Sequence, residues 1–314
     1  MKTKHKAKRC ALLTCEGLRE GRSAGHSNLS KECLADDDLL VPALKRHGIE
    51  AEFVVWDRER DWDRFDCAVI RSTWDYTHQL ERFIKALRRI DRSRCRLFNP
   101  FEIVRWNARK DYLIELAAKG VSVVPTRKIR RIDREAVNAA IVELDAPGVV
   151  IKPLVGAGAR NTFFLTKRSP GIPASLIDLT QKSDFLLQPI VPGVCDGEIS
   201  LCFFGGAFSH GVLKRPKRGD YRSNAEFGAT VSRYKPTQTE LDFARLVLAQ
   251  TPGEVLYARV DFVRDRGKPL LMELELIEPL LHFQSAPAAA SLFAVCLSRL
   301  QQPPAAHSNP GLGS

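Results

Sequence analysis

The chain has 314 residues, of which 44% are hydrophobic and 27% charged, and this composition is that of an ordinary soluble globular protein. Its formal net charge of +11 suits polyanionic partners, but no zinc-finger, helix-turn-helix or aromatic stacking pattern accompanies it, so we expect nucleotides rather than nucleic acid. No apolar run is long enough to span a membrane and the eight cysteines contain no Cys-x-x-Cys pair, so we expect a cytoplasmic protein with reduced thiols.

The N-terminal part of the chain alternates short apolar strands with a helix. Residues 1–9 carry five basic side chains without apolar periodicity, and we expect them to form a disordered arm. The acidic residues 36–38 are expected to cap the first helix. The alternation predicts a parallel α/β domain over residues 10–98. Its buried strands are expected at residues 11–14, 52–56 and 67–71.

Polar and aromatic residues follow the third of these strands. They are Ser72, Thr73, Trp74, Asp75 and Tyr76. Ligands gather at the carboxyl ends of the strands in a parallel sheet, so we expect this loop to contact a substrate. Ordinary turn and capping chemistry is the alternative explanation.

The sequence Asn99-Pro100 interrupts this pattern and predicts a domain boundary. Beyond it the expected strands outnumber the helices, which favours an α+β architecture over a second parallel sheet. The last segment, residues 301–314, is rich in Pro, Ala, Ser and Gly and is expected to be a disordered tail.

A loop of small residues at 155–159 contains Gly156 and Gly158 and directly follows a predicted strand that carries Lys152. Glycines allow backbone N–H groups to converge on an anion, and the lysine supplies the matching charge. The loop is not a P-loop, because no Gly-x-x-x-x-Gly-Lys-Ser/Thr occurs, and a dinucleotide fingerprint would need a third glycine. From the loop alone, a purely structural turn remains the alternative.

Two segments on either side of Gly267 alternate apolar and charged residues with period two, which predicts a β-hairpin. Pairing about Gly267 places Arg259, Asp261, Glu273 and Glu275 on one face. Three carboxylates that close repel one another unless a cation lies among them, and oxygen ligands beside an arginine suit Mg²⁺ bound to a phosphate substrate. A hairpin with one solvated face is the alternative.

These features, in this order and spacing, resemble the ATP-grasp superfamily, which includes D-alanine–D-alanine ligase, glutathione synthetase and the ribosomal-protein glutamate ligases. The resemblance covers residues 99–300. It implies an N-terminal parallel α/β domain followed by a two-lobed ATP-grasp domain, with lobes at about residues 99–187 and 188–300.

The resemblance also implies roles for individual residues. Lys110 and Lys152 would hold the phosphates of ATP, and the loop with Gly156 and Gly158 would cover them. Arg259 would face the reacting carboxylate. The other implied positions are the adenine hinge at Gln188, Pro189, Ile190 and Val191, the ribose-binding Glu198, the phosphate- or substrate-contacting Lys214 and Arg215, and the Mg²⁺ or Mn²⁺ ligands Asp261, Glu273 and Glu275.

The implied activity is ATP-dependent ligation. A carboxylate would attack the γ-phosphate of ATP to give an acyl phosphate, and an amine would then displace phosphate and form a C–N bond. Small amino-acid-like substrates and a homodimeric assembly are compatible with the family.

Two departures from the family pattern keep other functions open. Glu275 stands where asparagine is usual, and residues 276–279 lack the small-residue turn common in members that form peptides. An ATP-binding regulatory protein without ligase turnover is therefore the alternative function, and a nucleic-acid binder using the basic arm is a third. The histidines show no metal-ligand spacing, and we expect structural or surface roles for them, with His210 and His282 nearest to the site in sequence.

Overall fold

Three β-sheets organise this computed structural model, which describes residues 7–19, 28–218, 222–223 and 227–300. The helices are α1 (Asn28–Arg46), α2 (Leu80–Asp91), α3 (Phe101–Asn107), α4 (Tyr112–Ala118), α5 (Arg134–Glu143), α6 (Ala174–Lys182), α7 (Gln238–Leu248) and α8 (Ala288–Leu300). The strands are β1 (Lys8–Thr14), β2 (Ile49–Val55), β3 (Cys67–Ser72), β4 (Arg96–Phe98), β5 (Arg127–Ile129), β6 (Gly148–Pro153), β7 (Phe163–Thr166), β8 (Phe185–Pro189), β9 (Glu198–Phe204), β10 (Ala207–Arg215), β11 (Thr230–Tyr234), β12 (Tyr257–Asp265) and β13 (Lys268–Glu275).

The N-terminal sheet has the order β2-β1-β3-β4 and all its pairs are parallel, which confirms the predicted α/β domain. Its first strand starts earlier than expected. Lys8 and Arg9 pair with Ile49 and Glu50 of β2, so these two residues belong to the sheet and not to a disordered arm. The rest of the predicted arm, residues 1–6, lies outside the described residues, as does the predicted tail at 301–314.

The prediction that the acids at 36–38 begin the first helix is wrong. Helix α1 already includes Asn28, and Asp36 and Asp37 lie within it, each only 1% exposed. Tertiary partners explain their burial: Arg71 pairs with Asp37 at 3.2 Å, and Asp36 accepts backbone N–H groups from a distant segment. Local capping rules do not register such partners.

Two antiparallel sheets follow, and they confirm the α+β prediction for the remainder of the described chain. The smaller sheet, β5-β8-β6-β7, packs against α5 and α6 around its own apolar core. The larger sheet, β11-β10-β9-β12-β13, packs on α4 and α7 around a second core. Together the two sheets form the two lobes of the second domain, with the cavity described below between them.

The N-terminal domain packs directly on the larger sheet. A shared apolar cluster joins Leu12 and Val69 of the parallel sheet to Phe204 and Tyr257 of the larger one, with Phe293 of α8 among them. Burial of this much aromatic surface couples the two domains. The N-terminal domain therefore provides one wall of the cavity.

Asn99, the first residue of the predicted boundary, is fully buried at this junction. Its side-chain amide donates to the carbonyl oxygens of Tyr257 (2.9 Å) and Leu276 (2.7 Å), and its oxygen accepts the N–H of Leu256 at 2.7 Å. A side chain that satisfies three buried backbone groups is costly to replace. The chain thus passes between the domains through a buried and hydrogen-bonded residue rather than through a solvated linker. No helix within the described residues is long and apolar enough to cross a bilayer.

Candidate active site

A cavity lies between the two antiparallel sheets and the N-terminal domain. In β6, Val149 and Ile151 point into the core while Val150 and Lys152 line the cavity, as expected for alternating side chains. The structure brings most of the predicted site residues to this one place. Those lining the cavity are Trp74, Tyr76, Lys110, Lys152, Gly156, Gly158, Gln188, Pro189, Ile190, Val191, Glu198, Lys214, Arg259, Asp261, Glu273 and Glu275.

The hairpin of β12 and β13 contains one extra residue, Met272. Its two-residue turn, Arg266 and Gly267, has positive φ at both positions (50° and 80°), and such a turn matches the twist of an antiparallel pair. Regular pairing from that turn would place Asp261 opposite Met272. A bulge shifts the register by one residue, and Asp261 faces Glu273 instead.

Four charged side chains therefore share the face of the hairpin that borders the cavity, which confirms their predicted arrangement. Arg259 donates to Asp261 from both Nε (3.0 Å to Oδ1) and Nη2 (2.8 Å to Oδ2). The same Nη2 donates to Glu275 Oε1 at 2.6 Å, and Nη1 donates to the carbonyl oxygen of Leu280 at 2.9 Å. The guanidinium is thus fixed in position by three separate acceptors.

Three lysines face this hairpin. Lys110 forms an ion pair with Glu273, and Lys214 forms one with Glu198 while lying 3.7 Å from Asp261. Lys152 has no ion pair within the described residues, and burial lowers its pKa. A half-buried lysine that lies beside other cations and has no ion pair of its own is well placed to bind an anion.

Two of the hairpin acids are firmly ionised. Burial alone would raise the pKa of Asp261, but Arg259 and Lys214 hold it well below its usual range. Burial likewise opposes ionisation of Glu273, and Lys110, followed by Lys152, lowers its pKa nonetheless. Both carboxylates are therefore available as anionic ligands at neutral pH.

Two further acids hold their protons more tightly. Burial raises the pKa of Glu275 to about 7, with Arg259 opposing the shift and Glu273 adding to it. Burial and the neighbouring Glu275 raise the pKa of Glu278 to about 8. Negative charge is therefore crowded at this end of the cavity, beyond what the protein's own cations neutralise.

The donor set fits Mg²⁺ in its chemistry. Asp261, Glu273 and Glu275 offer carboxylate oxygens only, which are the ligands that Mg²⁺ prefers. Within the described residues, no three Asp, Glu, His or Cys side chains stand together at the spacing of a metal site, and each of these three carboxylates instead contacts a cation of the protein. Their role as metal ligands stays a prediction.

The loop after β3 divides into two halves. Trp74 and Tyr76 line the cavity, within a 3₁₀ turn at Trp74–His78. Tyr76 is 5% exposed and stacks on Phe83 of α2 with ring centroids 4.6 Å apart, which fixes its position. This half of the loop can contact a substrate.

The other half of the loop serves the structure, contrary to the predicted substrate contacts. Ser72 donates to Thr14 Oγ1 at 2.9 Å inside the parallel sheet, and Thr73 is fully buried. The carboxylate of Asp75 accepts the indole N–H of Trp56 at 2.8 Å. For Ser72, Thr73 and Asp75, the turn and packing alternative describes what the structure places there.

Arg215 is also not where its predicted role requires. Side chains alternate along β10, so Lys214 points into the cavity and the exposed Arg215 points to the opposite face. A basic pair in sequence therefore supplies one cation to the site, not two.

The positions predicted to bind the nucleotide line the same cavity as Lys152. Gly158 in the small-residue loop has a φ of +63°, and Arg160, just after this loop, contacts His78 Nε2 of the N-terminal domain at 2.6 Å. The side chain of Gln188 donates to Thr126 Oγ1 at 2.8 Å, which leaves the backbone of the following residues to border the cavity. The loop thus spans the cavity from one wall to the other.

Among the charged cavity residues, Glu278 was given no role by the sequence analysis, and His282 was expected to be structural or on the surface. Both follow the end of β13, where the period-two pattern stops, so no periodicity pointed to them. His282 is 7% exposed, burial and then Arg259 lower its pKa well below the ordinary value, and its Nε2 has no hydrogen-bond partner among the described residues. His210, by contrast, contacts the carbonyl oxygen of Leu281 at 2.8 Å.

Comparison with known protein families covers most of the chain. Residues 10–99 match the family described as D-cycloserine synthetase DcsG, N-terminal domain. Residues 117–266 match the family described as prokaryotic glutathione synthetase, ATP-grasp domain. The second match spans both lobes that border the cavity.

Individual relatives agree with these matches. The chain is 30% identical over 283 residues to the cycloserine biosynthesis protein DcsG of Streptomyces lavendulae, an alignment that covers 84% of this chain and 93% of that protein. The crystal structure of D-cycloserine synthetase DcsG is similar with a TM-score of 0.75 and 25% identity, covering 94% of this chain and all of that one. The D-alanine–D-alanine ligase of Bacillus anthracis shares the fold, with a TM-score of 0.60, 14% identity, and coverage of 94% of this chain and 99% of that one.

Proposed function

The chain belongs to the ATP-grasp family of ligases, and from this we propose that it forms a C–N bond between a carboxylate and an amine at the expense of ATP. The observation that carries the proposal is the meeting of Lys110, Lys152 and Lys214 with the charged face of the hairpin in one cavity. Cations from three separate segments of the chain converge there, as binding of a triphosphate requires.

The proposed reaction has two steps. A substrate carboxylate oxygen attacks the γ-phosphorus of ATP, so that an acyl phosphate forms and ADP leaves. The amine nitrogen then attacks the carbonyl carbon, the C–N bond forms, the C–O bond to phosphate breaks, and the nitrogen loses a proton. Inorganic phosphate is the second product.

The residues of the chain support each step. Lys110 and Lys152 bind phosphate oxygens, and Lys110 exchanges its contact with Glu273 for the nucleotide. Asp261, Glu273 and Glu275 would hold Mg²⁺, or Mn²⁺ in its place, and the ion would supply positive charge to the phosphates. The proposal keeps the hinge at 188–191 for adenine and Glu198 for the ribose.

Arg259 stabilises the negative charge that develops on the carbonyl oxygen in the second step. Its guanidinium is held rigidly by Asp261, Glu275 and the carbonyl oxygen of Leu280, so little reorganisation is needed when charge develops. Removal of one such preorganised donor typically costs about 3 kcal/mol in the barrier. The small-residue loop with Gly156 and Gly158 excludes the water that would hydrolyse the acyl phosphate.

Small amino-acid-like molecules are the proposed substrates. The relative from Streptomyces lavendulae is named for cycloserine biosynthesis, which supports amino-acid-derived chemistry for this chain as well. The cavity wall formed by Trp74 and Tyr76 can accept a compact molecule between the N-terminal domain and the hairpin.

The test is phosphate release from ATP, with Mg²⁺, against pools of amino acids and amines. We expect release that depends on particular pools and is lost in Glu273→Gln, a variant that keeps the shape of a side chain on the cavity wall. Glu143→Gln is the control and should keep full activity, because Glu143 forms an exposed ion pair with Arg127 and neither residue lines the cavity. ATP binding without phosphate release in any pool would favour the regulatory alternative, whose main support is the glutamate at position 275 where asparagine is usual.

A further inference from the structure

We propose that Glu278 binds a protonated amino group of the substrate, so that the end of the cavity between Glu278, Trp74 and Tyr76 is a subsite for an amino acid rather than for a simple carboxylic acid. The inference rests on the proposed function, because it assigns part of the same cavity.

The location of Glu278 is the first argument. It follows the last residue of β13 by three positions and lies partly exposed on the cavity wall. The hydroxyl group of Tyr76 interacts with its carboxyl group. The carboxyl group thus stands where the N-terminal domain meets the hairpin, next to the cluster that contains Tyr76 and Ile277.

The distribution of charge is the second argument. Glu278 has no ion pair within the described part of the chain, while the cations near it are engaged: Lys110 with Glu273, and Arg259 with Asp261 and Glu275. A carboxylate on a partly buried wall is costly without a cation. A substrate ammonium group supplies that cation and brings three N–H donors.

The aromatic neighbours are the third argument. Trp74 and Tyr76 line the same cavity as Glu278, and aromatic rings attract organic cations. Tyr76 is held by its stacking on Phe83, so its ring keeps its place on the cavity wall. An ammonium group bound here would meet one charged and two aromatic partners.

The segment that carries Glu278 is rigidly held, which makes a defined subsite rather than a mobile side chain. Arg71 donates to the carbonyl oxygen of Pro279 at 3.4 Å, and Arg259 donates to that of Leu280 at 2.9 Å. Asp36 accepts the N–H of Leu281 at 2.9 Å. Contacts made before the ligand arrives reduce the ordering cost of binding.

The experiment compares α-amino acids with the α-hydroxy acids of the same side chain. Alanine and lactate, and serine and glycerate, are titrated as both enantiomers into the full chain with Mg²⁺ and a non-hydrolysable ATP analogue. We expect at least one amino acid to bind about 10- to 100-fold more tightly than its hydroxy acid, the difference typical of a charge-assisted hydrogen bond. Glu278→Gln should reduce that preference to about threefold or less. Glu278→Asp, which keeps the charge, should retain most of it.

The inference would be overturned if the unsubstituted protein showed no preference for the amino acid over the hydroxy acid, or if Glu278→Gln left that preference unchanged. A raised Mg²⁺ requirement in Glu278→Gln with the preference intact would also overturn it and would assign Glu278 to the metal. Thermal unfolding of both variants verifies that they fold. Because the titration needs no turnover, it is separate from the test of the proposed function. A preference without phosphate release would refute the ligase and leave the subsite standing.

Discussion

The carboxylate of Asp36 accepts the backbone N–H of Phe283 at 2.7 Å, and this contact ties helix α1 to the segment that completes the cavity. The second oxygen of Asp36 accepts the N–H of Leu281 at 2.9 Å. Burial raises the pKa of Asp36 to about 6, and Arg71 opposes that shift. A residue of the N-terminal domain thereby positions the backbone that holds Arg259 through Leu280.

Replacement of Asp36 by asparagine should weaken this connection. An amide offers one acceptor oxygen where two N–H groups need one each, so one buried donor loses its partner, at a cost of about 1–3 kcal/mol. Urea unfolding monitored by circular dichroism measures the loss. Asp38→Asn is the matched control, since Asp38 lies two residues away and is exposed, and it should change the free energy of unfolding by less than about 0.5 kcal/mol. Equal losses in the two variants would contradict the positioning role.

Lys152 should contribute more to the binding of ATP than to the free energy of unfolding. It makes no ion pair or hydrogen bond within the described residues, and burial disfavours its charged form. We therefore expect Lys152→Met to leave the free energy of unfolding unchanged or to raise it slightly, while ATP binds about 10- to 100-fold more weakly. Calorimetric titration with ATP and thermal unfolding test the two halves of this prediction. Lys119→Met, at an exposed lysine, should alter neither quantity. Unaltered ATP affinity in Lys152→Met would refute the assignment.

Lys214 and Arg215 form a natural pair of test and control, because alternation along β10 sends them to opposite faces. Lys214→Met should lower kcat/KM by about a hundredfold, since it removes a cation that lies 3.7 Å from Asp261 and pairs with Glu198. Arg215→Ala should leave kcat/KM within about twofold. Phosphate-release kinetics with the substrate pair found by screening provide the measurement. A large loss in Arg215→Ala would show that the strand presents its other face to the substrate.

The stability of the metal-free protein should fall as pH rises. The folded-state pKa values of Glu275 and Glu278 are about 7 and about 8, above the ordinary 4.5, so the folded state binds more protons than the unfolded state between these values. Stability therefore decreases up to about pH 8 and then levels off with respect to these groups. We expect a lower Tm at about pH 8.5 than at about pH 7.5, a range in which His282 is neutral in the folded state, because burial lowers its pKa, and largely neutral in the unfolded state as well.

The same measurement on Glu278→Gln isolates one of the two groups. This variant cannot ionise at position 278, and removal of its charge also relieves Glu275, so the slope of Tm against pH should become shallower. Mg²⁺ with ATP should raise Tm most at the higher pH, where the carboxylates are ionised. A Tm that is independent of pH in the original chain would contradict the crowding of negative charge at this end of the cavity.

Local patterns in the sequence determined much of the site. Alternation with period two was enough to predict that Arg259 and Asp261 share one face of a strand, and likewise Glu273 and Glu275, because the pleat of a strand sends successive side chains to opposite sides. The strand with Lys152 and the small-residue loop after it could also be predicted from the sequence. Glycine allows backbone N–H groups to converge on an anion and lysine supplies the charge, and both effects depend on few other residues. The parallel α/β domain followed by an α+β region also emerged from the order of apolar runs.

Tertiary structure decided how these pieces meet. The bulge at Met272 sets the register that places Asp261 opposite Glu273. A regular hairpin from the same turn would have placed Arg259 and Asp261 on one face of the sheet and the two glutamates on the other. Asp36 can be buried within a helix because it accepts hydrogen bonds from backbone groups 245 and 247 residues away in the chain. Glu278 lies in irregular backbone after the end of β13, where no alternation of side chains could predict that it lines the cavity. Alternation is a property of neighbouring residues and can be read locally, whereas register, burial and charge pairing depend on contacts between distant segments, which form only in the folded chain.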